Sequence, residues 1–255
     1  MERYSVHLKL LGMAVLWGAS WPMGRMLGQS LPPLTGGAVR FVLASVLLLG
    51  WLFVRSRFST LAALSTRQWL GLTVAASVGV CGYAVFFMLG LQEMPAGKAA
   101  VVVAVNPVLT LLLAAWLFGE RLNAKILAGM LLAVGGAIMV VTQGQPLTVL
   151  SGGIKAGEWW IFGCVFCWAA YTLIGRAVLR GIDALTVTTA TSFIGALMLS
   201  VVALWTDGMP FEAIAAMDGR GWTALAWLVI GATVLAYAWY FEGVKTLGAG
   251  SAAAY

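Results

Sequence analysis

The stretch that decides the fold is "WGASWPMGR" at residues 17–25, because its pattern returns as "WAAYTLIGR" at residues 168–176. The two copies share the first tryptophan, one alanine and the closing Gly-Arg pair. Beyond them, Leu34–Thr35 aligns with Leu185–Thr186 without any change in spacing. Similarity at a fixed offset is the signature of an internal repeat.

A third block supports the same duplication. "FFMLGLQEMPAGKAA" at residues 86–100 aligns with "WYFEGVKTLGAGSAA" at residues 239–253 after the spacing slips by two residues. Helices rich in alanine and glycine align easily, so chance similarity is the alternative explanation. Because the three blocks follow the same order in both halves, we interpret them as a duplication.

Composition places both copies in a membrane. Hydrophobic residues make up 62% and charged residues 9% of the chain, and the mean hydropathy is +0.96, far from the usage of soluble proteins. Each apolar window is near the roughly 20 residues that a helix needs to cross a bilayer. The windows lack the alternation of a membrane β-barrel. They are 8–29, 34–55, 68–91, 96–118, 122–142, 157–179, 183–206 and 221–246.

The number of windows per copy predicts an inverted repeat. Five windows separate the two starts, and an odd number makes the second copy enter the membrane in the opposite sense. Many secondary transporters are built from such inverted repeats, with the binding site between the halves. We predict an all-α membrane protein with ten transmembrane helices in two inverted five-helix repeats. Residues 1–145 form the first repeat, 146–156 a linker, and 157–255 an incomplete second repeat.

The second copy is shorter than the first. Residues 103–143 have no partner in it. We therefore expect the natural protein to continue beyond Tyr255 for about one and a half helices, with a proline within the first several added residues. The window at 249–255 would then be the start of a ninth helix.

The sequence offers little for catalysis, metal binding or nucleic-acid binding. His7 is the only histidine, and no window holds two acidic residues in helical register, although catalysis needs such groups together. Cys164 and Cys167 form a CxxC inside an apolar helix, which indicates packing rather than a redox or metal site. Basic residues are spread over several loops. We expect no cofactor, no metal and no nucleic-acid partner; a passive channel and a membrane-embedded enzyme are the less favoured alternatives.

The residues that carry a family resemblance extend along the whole chain. They are "WG" at Trp17–Gly18, Pro33, "RF" at Arg40–Phe41, "NP" at Asn106–Pro107, and "GE" at Gly119–Glu120 before a glycine-rich fifth helix. The chain resembles the EamA-type members of the drug/metabolite transporter superfamily, and most of all the YddG-type aromatic amino-acid exporters. The resemblance implies two five-helix bundles in a bacterial inner membrane that export or exchange a small metabolite.

Aromatic residues near mid-helix indicate where a substrate would bind. Trp17 and Trp21 lie one turn apart on one helix face, and Trp168 is the repeat partner of Trp17. Their rings could stack on a flat apolar substrate such as an aromatic or other neutral amino acid, although filling space between helices is the alternative. We predict a central substrate cavity that works by alternating access; another metabolite or drug class is the second possibility. Its predicted lining residues are Trp17, Trp21, Tyr83, Phe86, Asn106, Trp168, Tyr171 and Tyr237.

Four charged residues are candidates for positions in the hydrocarbon, where a charge is costly and is a functional suspect by default. They are Arg25, Arg40, Arg176 and Glu242, whereas we expect Glu93, Lys98 and Lys245 at helix ends. Arg25 and Arg176 lie about 12 Å along their helices from the matched tryptophans at 1.5 Å per residue. That distance favours anchoring or gating at opposite interfaces over contact with a substrate.

The distribution of positive charge predicts a cytoplasmic amino terminus. With that orientation, ten of the 15 Lys and Arg residues lie on the inner side, and the acidic segment 206–220 forms an outer loop. Single-cysteine labelling of intact cells tests this topology. We expect a cysteine at Gly208 to react with an impermeant reagent and a cysteine at Ser56 to be protected, and the opposite pattern would contradict the prediction.

Overall fold

The computed structural model describes residues 2–119, 122–147, 156–178, 181–248, 251–252 and 255, and the regular structure within them is helical. Two five-residue helices, Phe58–Ala62 and Phe211–Ala215, lie in the connections after the second and seventh main helices. The main helices of this described part are α1 (Glu2–Ser30), α2 (Pro33–Val54), α3 (Thr66–Glu93), α4 (Ala96–Phe118), α5 (Ala124–Val141), α6 (Ala156–Val178), α7 (Ala184–Thr206) and α8 (Gly219–Leu247).

These helices coincide with the eight apolar windows of the sequence. Within the described residues, six of them, α2, α3, α4, α6, α7 and α8, are long and apolar enough to cross a membrane. α5 is apolar but shorter, and α1 spans 29 residues with a polar first stretch, "ERYSVHLK". The molecule is therefore an all-α protein of the membrane class, whereas the ten-helix count stays a prediction.

Some of the predicted features lie outside the described residues. They are positions 148–155 of the linker predicted at 146–156, Glu120 of the "GE" motif, and positions 249–250 and 253–254 of the last window. The division into residues 1–145 and 157–255 remains a prediction.

Local sequence sets the ends of the helices. Pro33 opens α2 and Pro95 precedes α4, positions at which the missing N–H of proline costs no helical hydrogen bond. Asp183 and Asp218 cap α7 and α8, because each side chain accepts a hydrogen bond from the backbone N–H three residues later. Such caps satisfy donors that a helix end leaves free.

Helix packing follows the correspondence between the two copies. α2 packs most extensively on α7, its repeat partner. α1 packs on α8, and α6 packs on α3. Because α1 corresponds to α6 and α3 corresponds to α8 in the repeat, these two contacts are equivalent. Equivalent contacts of this kind are expected when two copies of a sequence bury corresponding helix faces.

The same correspondence reaches individual glycines. A Cβ at Gly12 would lie 2.9 Å from the ring of Trp239, and a Cβ at the matched Gly163 would lie 2.7 Å from the ring of Phe86. Likewise, Leu10 packs on Gly243, while the matched Ile161 packs on Gly90. Small residues let helices approach closely in lipid, where packing rather than water exclusion drives association. The matched contacts are Gly12–Trp239 with Gly163–Phe86, and Leu10–Gly243 with Ile161–Gly90.

Gly79 makes the tightest of the glycine contacts, which allows a direct test of this packing. A Cβ at this position would lie 2.1 Å from the Tyr171 ring, so we expect Gly79→Ala to lower stability by about 1–3 kcal/mol through overpacking. Thermal unfolding of the purified protein in detergent measures the loss. Gly129→Ala in α5 is the control, because its Cβ would meet no atom within 4 Å. Equal melting temperatures for the two variants would contradict the packing.

Candidate functional site

A cavity of about 410 Å³ lies at the middle of α1, among residues from six of the main helices, α1, α2, α3, α4, α6 and α8. Eight of its 19 lining residues are aromatic, and Gly18 on this wall is exposed. Volumes of about 300–1,000 Å³ are usual for small-molecule sites. The lining residues are Met13, Ala14, Trp17, Gly18, Ser20, Trp21, Arg40, Tyr83, Phe87, Ala100, Val103, Ala104, Asn106, Pro107, Trp168, Tyr237, Tyr240, Ala252 and Tyr255.

Two tryptophans from the repeated motif form the centre of the aromatic wall. The ring centroids of Trp17 and Trp168 are 4.9 Å apart with an interplanar angle of 85°. Tyr237 contacts both rings edge to face, at 5.7 Å from Trp17 and 5.6 Å from Trp168. The indole Nε1 of Trp17 donates a hydrogen bond of 2.9 Å to the carbonyl oxygen of Ala232. Edge-to-face contacts of this kind fix ring orientation, so the wall is rigid.

A second group of rings extends this wall along α1 and α3. Trp21 lies 5.0 Å from Phe87 between ring centroids. Tyr83 is stacked against Phe87 at 6.0 Å and meets Trp168 edge to face at 5.6 Å. The rings of α1, α3, α6 and α8 therefore form one continuous apolar surface.

The structure brings six of the eight predicted site residues together on this wall. They are Trp17, Trp21, Tyr83, Asn106, Trp168 and Tyr237. Phe86 lies elsewhere: its ring packs against Gly163 and lies 5.9 Å from that of Trp160, in a separate groove between α3 and α6. Successive helical residues point about 100° apart, so Phe87 takes the cavity position instead.

Tyr171 is the second predicted residue that the cavity does not include. Its side chain is fully buried behind Trp168, with ring centroids 5.5 Å apart. Its hydroxyl shares a hydrogen bond of 2.9 Å with the hydroxyl of Thr191, and its ring fills the space left by Gly79. Tyr171 thus supports the wall from behind.

One charged side chain lies on the cavity wall. Arg40 of α2 is 8% exposed, and its Nε donates a hydrogen bond of 2.9 Å to Oγ1 of Thr233. Its guanidinium also lies 4.9 Å from the centre of the Phe41 ring. Among the described residues, no carboxylate forms an ion pair with Arg40. A buried cation without an anionic partner is energetically costly, and this makes Arg40 the most conspicuous polar feature of the cavity.

Local helix geometry positions the partner of Arg40. Residues Trp227–Leu235 of α8 form a π-helical stretch, and α3 has one at the corresponding place, Ser77–Gly82. Within the α8 stretch, the Thr233 hydroxyl donates to the carbonyl oxygen of Leu228, five residues earlier, at 2.8 Å. This bond leaves the hydroxyl oxygen free to accept from Arg40. π-Helical turns occur frequently at functional sites.

Asn106 is the second polar group of interest on the wall. α4 is interrupted between Val103 and Asn106, and the following Pro107 supplies no backbone donor. Asn106 is 6% exposed, and within the described part of the chain its Oδ1 accepts no hydrogen bond. An unsatisfied buried amide oxygen costs about 1–3 kcal/mol, so this atom would gain from a donor brought by a ligand.

Polar contacts tie the helices together on either side of the cavity along α1. Toward its amino end, Nζ of Lys9 lies 2.6 Å from Oε1 of Glu242 in α8. Toward the other end, the guanidinium of Arg25 donates to the carbonyl oxygen of Met94 at 3.0 Å. Nζ of Lys98 in α4 also lies 2.7 Å from Oε1 of Glu158 in α6. Arg25 is not among the lining residues of the cavity, and its anchoring or gating role stays a prediction.

Sequence reasoning left several wall residues out of the predicted site. Phe87 and Tyr240 were indistinguishable by sequence from other aromatic residues on the same helices, and Ser20 and Tyr255 gave no signal. Arg40 did give one, since it is an arginine inside an apolar window, but its direction depends on the packing of α2. Within the described residues, no group of three His, Cys, Asp or Glu side chains could hold a metal ion.

A midpoint cavity between duplicated halves of apolar helices is the arrangement of a multi-pass membrane transporter. The sequence model of the EamA-like transporter family matches residues 5–142 and again 155–255. The chain therefore belongs to the EamA-like transporter family, a family of transporters and not of enzymes, and its two matched segments suggest duplicated halves.

Relatives extend over much of the chain. Uncharacterized transporter YyaM of Bacillus subtilis is 28% identical over 98% of this chain and 80% of its own. An uncharacterized transporter of Archaeoglobus fulgidus is 30% identical over 92% and 78%. Uncharacterized inner membrane transporter YedA of Escherichia coli is 30% identical over 62% and 51%. One solved crystal structure shares the fold at 21% identity, with a TM-score of 0.72 over 99% of this chain and 85% of its own.

Access to the cavity can be tested by cysteine labelling in a variant without Cys81, Cys164 and Cys167. A cysteine at Gly18 is expected to react with a small water-soluble thiol reagent, because this position lines the cavity and a side chain there meets no atom within 4 Å. A cysteine at the fully buried Ser192 is the control and should stay unmodified. Equal reaction at both positions, measured by mass spectrometry, would contradict the cavity.

Proposed function

We propose that this transporter exports small apolar metabolites, in particular aromatic or other neutral amino acids, from the bacterial cytoplasm across the inner membrane. The observation that carries the proposal is the continuous wall of aromatic rings around Trp17 and Trp168. Flat rings bury large apolar area at low entropic cost and stack on other flat groups. The narrower likeness to the YddG-type aromatic amino-acid exporters belongs to the same proposal.

Alternating access would come from movement of the two halves about the central cavity. The ion pairs Lys9–Glu242 and Lys98–Glu158 lie on different helix pairs and are partly exposed. Partly exposed ion pairs are worth only about 0–1 kcal/mol. Each pair can therefore hold the helices together at its own end of the bundle and still break during each cycle without a large barrier.

The proposal also includes the orientation of the protein in the membrane and the roles of its two halves. The amino terminus lies in the cytoplasm, and residues 1–145 and 157–255 act as inverted halves joined through 146–156. Phe86 and Tyr171, which lie off the cavity wall in this conformation, belong to the supporting packing around it. The partners of the protein are its small-molecule substrate and the lipid bilayer.

The substrate class is tested by uptake into proteoliposomes. The panel contains phenylalanine, tryptophan, threonine, a sugar nucleotide and a cationic drug, and empty liposomes are the control. We expect saturable flux of the two aromatic amino acids. Flux confined to the sugar nucleotide or the drug would assign the protein to another substrate class of the superfamily, and non-saturating flux of all compounds would indicate a channel.

The role of the wall is tested by Trp17→Ala and Trp168→Ala. Stacking on one ring is worth about 0.5–1.5 kcal/mol beyond area burial, so we expect the phenylalanine concentration for half-maximal transport to rise several-fold with the protein still folded in detergent. Trp205→Ala is the control, because Trp205 is 89% exposed. Unchanged phenylalanine flux in both wall variants would make these tryptophans packing residues only.

A further inference from the structure

We propose that Arg40 and Asn106 form a receptor for the zwitterionic backbone of the transported amino acid. Arg40 binds the carboxylate, Oδ1 of Asn106 accepts a hydrogen bond from the ammonium group, and the side chain lies against the aromatic wall. The inference rests on the proposed function, because it assumes that the substrate is an amino acid. It assigns the residues that would bind the carboxylate and the ammonium group of that substrate.

Arg40 has further donors for this role. Its Nε donates to Oγ1 of Thr233 at 2.9 Å, its two terminal nitrogens make no hydrogen bond within the described residues, and Arg40 is part of the cavity lining. Two terminal nitrogens form a planar fork that matches a carboxylate. The hydrogen bond to Thr233 fixes the direction of this fork, which reduces the entropy lost on binding.

The charge of the wall favours a substrate with a carboxylate. Its lining includes Arg40 and, among the described residues, no Asp or Glu. A cationic amine would meet an uncompensated like charge in surroundings of low polarity, where electrostatic energies are larger than in water. A carboxylate would offset the charge of Arg40, so the same cavity discriminates by charge as well as by ring stacking.

Asn106 supplies an acceptor from a different part of the cavity. α2, which carries Arg40, packs mainly on α7, whereas α4, which carries Asn106, packs mainly on α6. The two side chains therefore come from helices with different main packing partners. The amide Oδ1 is buried and accepts no hydrogen bond from any described residue, and an ammonium group has three donors to offer.

Three phenyl compounds distinguish recognition of the carboxylate from recognition of the ammonium group. They are phenylalanine, 3-phenylpropionate, which lacks the ammonium group, and phenethylamine, which lacks the carboxylate. Affinities are measured by competition against radiolabelled phenylalanine for the full chain in detergent, and uptake of each compound is measured directly in proteoliposomes.

The variants give opposite patterns if the assignment is right. Arg40→Gln should raise the Kd of phenylalanine and of 3-phenylpropionate at least tenfold and leave phenethylamine unchanged or tighter. Asn106→Ala should weaken phenylalanine and leave 3-phenylpropionate unchanged. Asn106→Asp should strengthen phenethylamine, a gain that a merely structural role cannot produce. Arg220→Gln is the matched control, because Arg220 is an exposed arginine away from the cavity.

The outcomes distinguish this inference from the proposed function. If phenylalanine binds but Arg40→Gln weakens all three compounds equally, or none, the receptor is overturned and the function stands. If aromatic compounds do not bind while threonine is carried in an Arg40-dependent manner, the receptor stands and the aromatic specificity falls. If Arg40→Gln does not fold, failure of Asn106→Asp to favour phenethylamine overturns the receptor. Transport of cations alone overturns both.

Discussion

Close approach of helices at glycine is the constraint on which the rest of the structure depends. Lipid offers no hydrogen bonds to the backbone, so each apolar segment must be helical. It also gives little hydrophobic gain when two helices meet, so packing contacts determine which faces join. In this chain, large side chains of one helix fill the space above glycines of another, as Trp239 does at Gly12 and Phe86 does at Gly163. The duplication makes each of these contacts twice.

The cavity follows from the same packing. α1 and α6 bring Trp17 and Trp168 to within 4.9 Å of each other, and α8 adds Tyr237. Where glycine and ring match, as at Gly79 and Tyr171, the helices close completely. Around Trp17 and Trp168, by contrast, the rings border the cavity. The same aromatic residue type therefore seals the bundle at one position and lines a cavity at another.

The polar groups in this cavity differ in burial and in partners from the polar groups on either side of it. Lys9 and Glu242 neutralise each other at 2.6 Å and are partly exposed, so they add little stability and break readily. Arg40 is 8% exposed and has Thr233 rather than a carboxylate as its partner. Buried polar groups in native proteins usually have partners. Within the described residues Arg40 has a hydroxyl partner but no anionic one, and Oδ1 of Asn106 is one of four buried side-chain atoms without a hydrogen bond.

Much of the architecture was predictable because it depends on periodic or local signals. The apolar windows located the eight helices, and the Trp17 and Trp168 blocks indicated the duplication. The same blocks placed Trp17 and Trp168, as repeat partners near mid-helix, among the predicted lining residues of the cavity. The sequence by itself therefore determined the helices, their correspondence and the class of protein. Only the tertiary structure decided which side chains face the cavity. Phe87 and Arg40 lie on its wall, whereas Phe86 lies in a separate groove and Tyr171 packs behind the wall. The physical reason is that the direction of each residue depends on the rotation of a helix that is apolar on all sides, and that rotation is set by contacts with other helices such as those at Gly79 and Gly163.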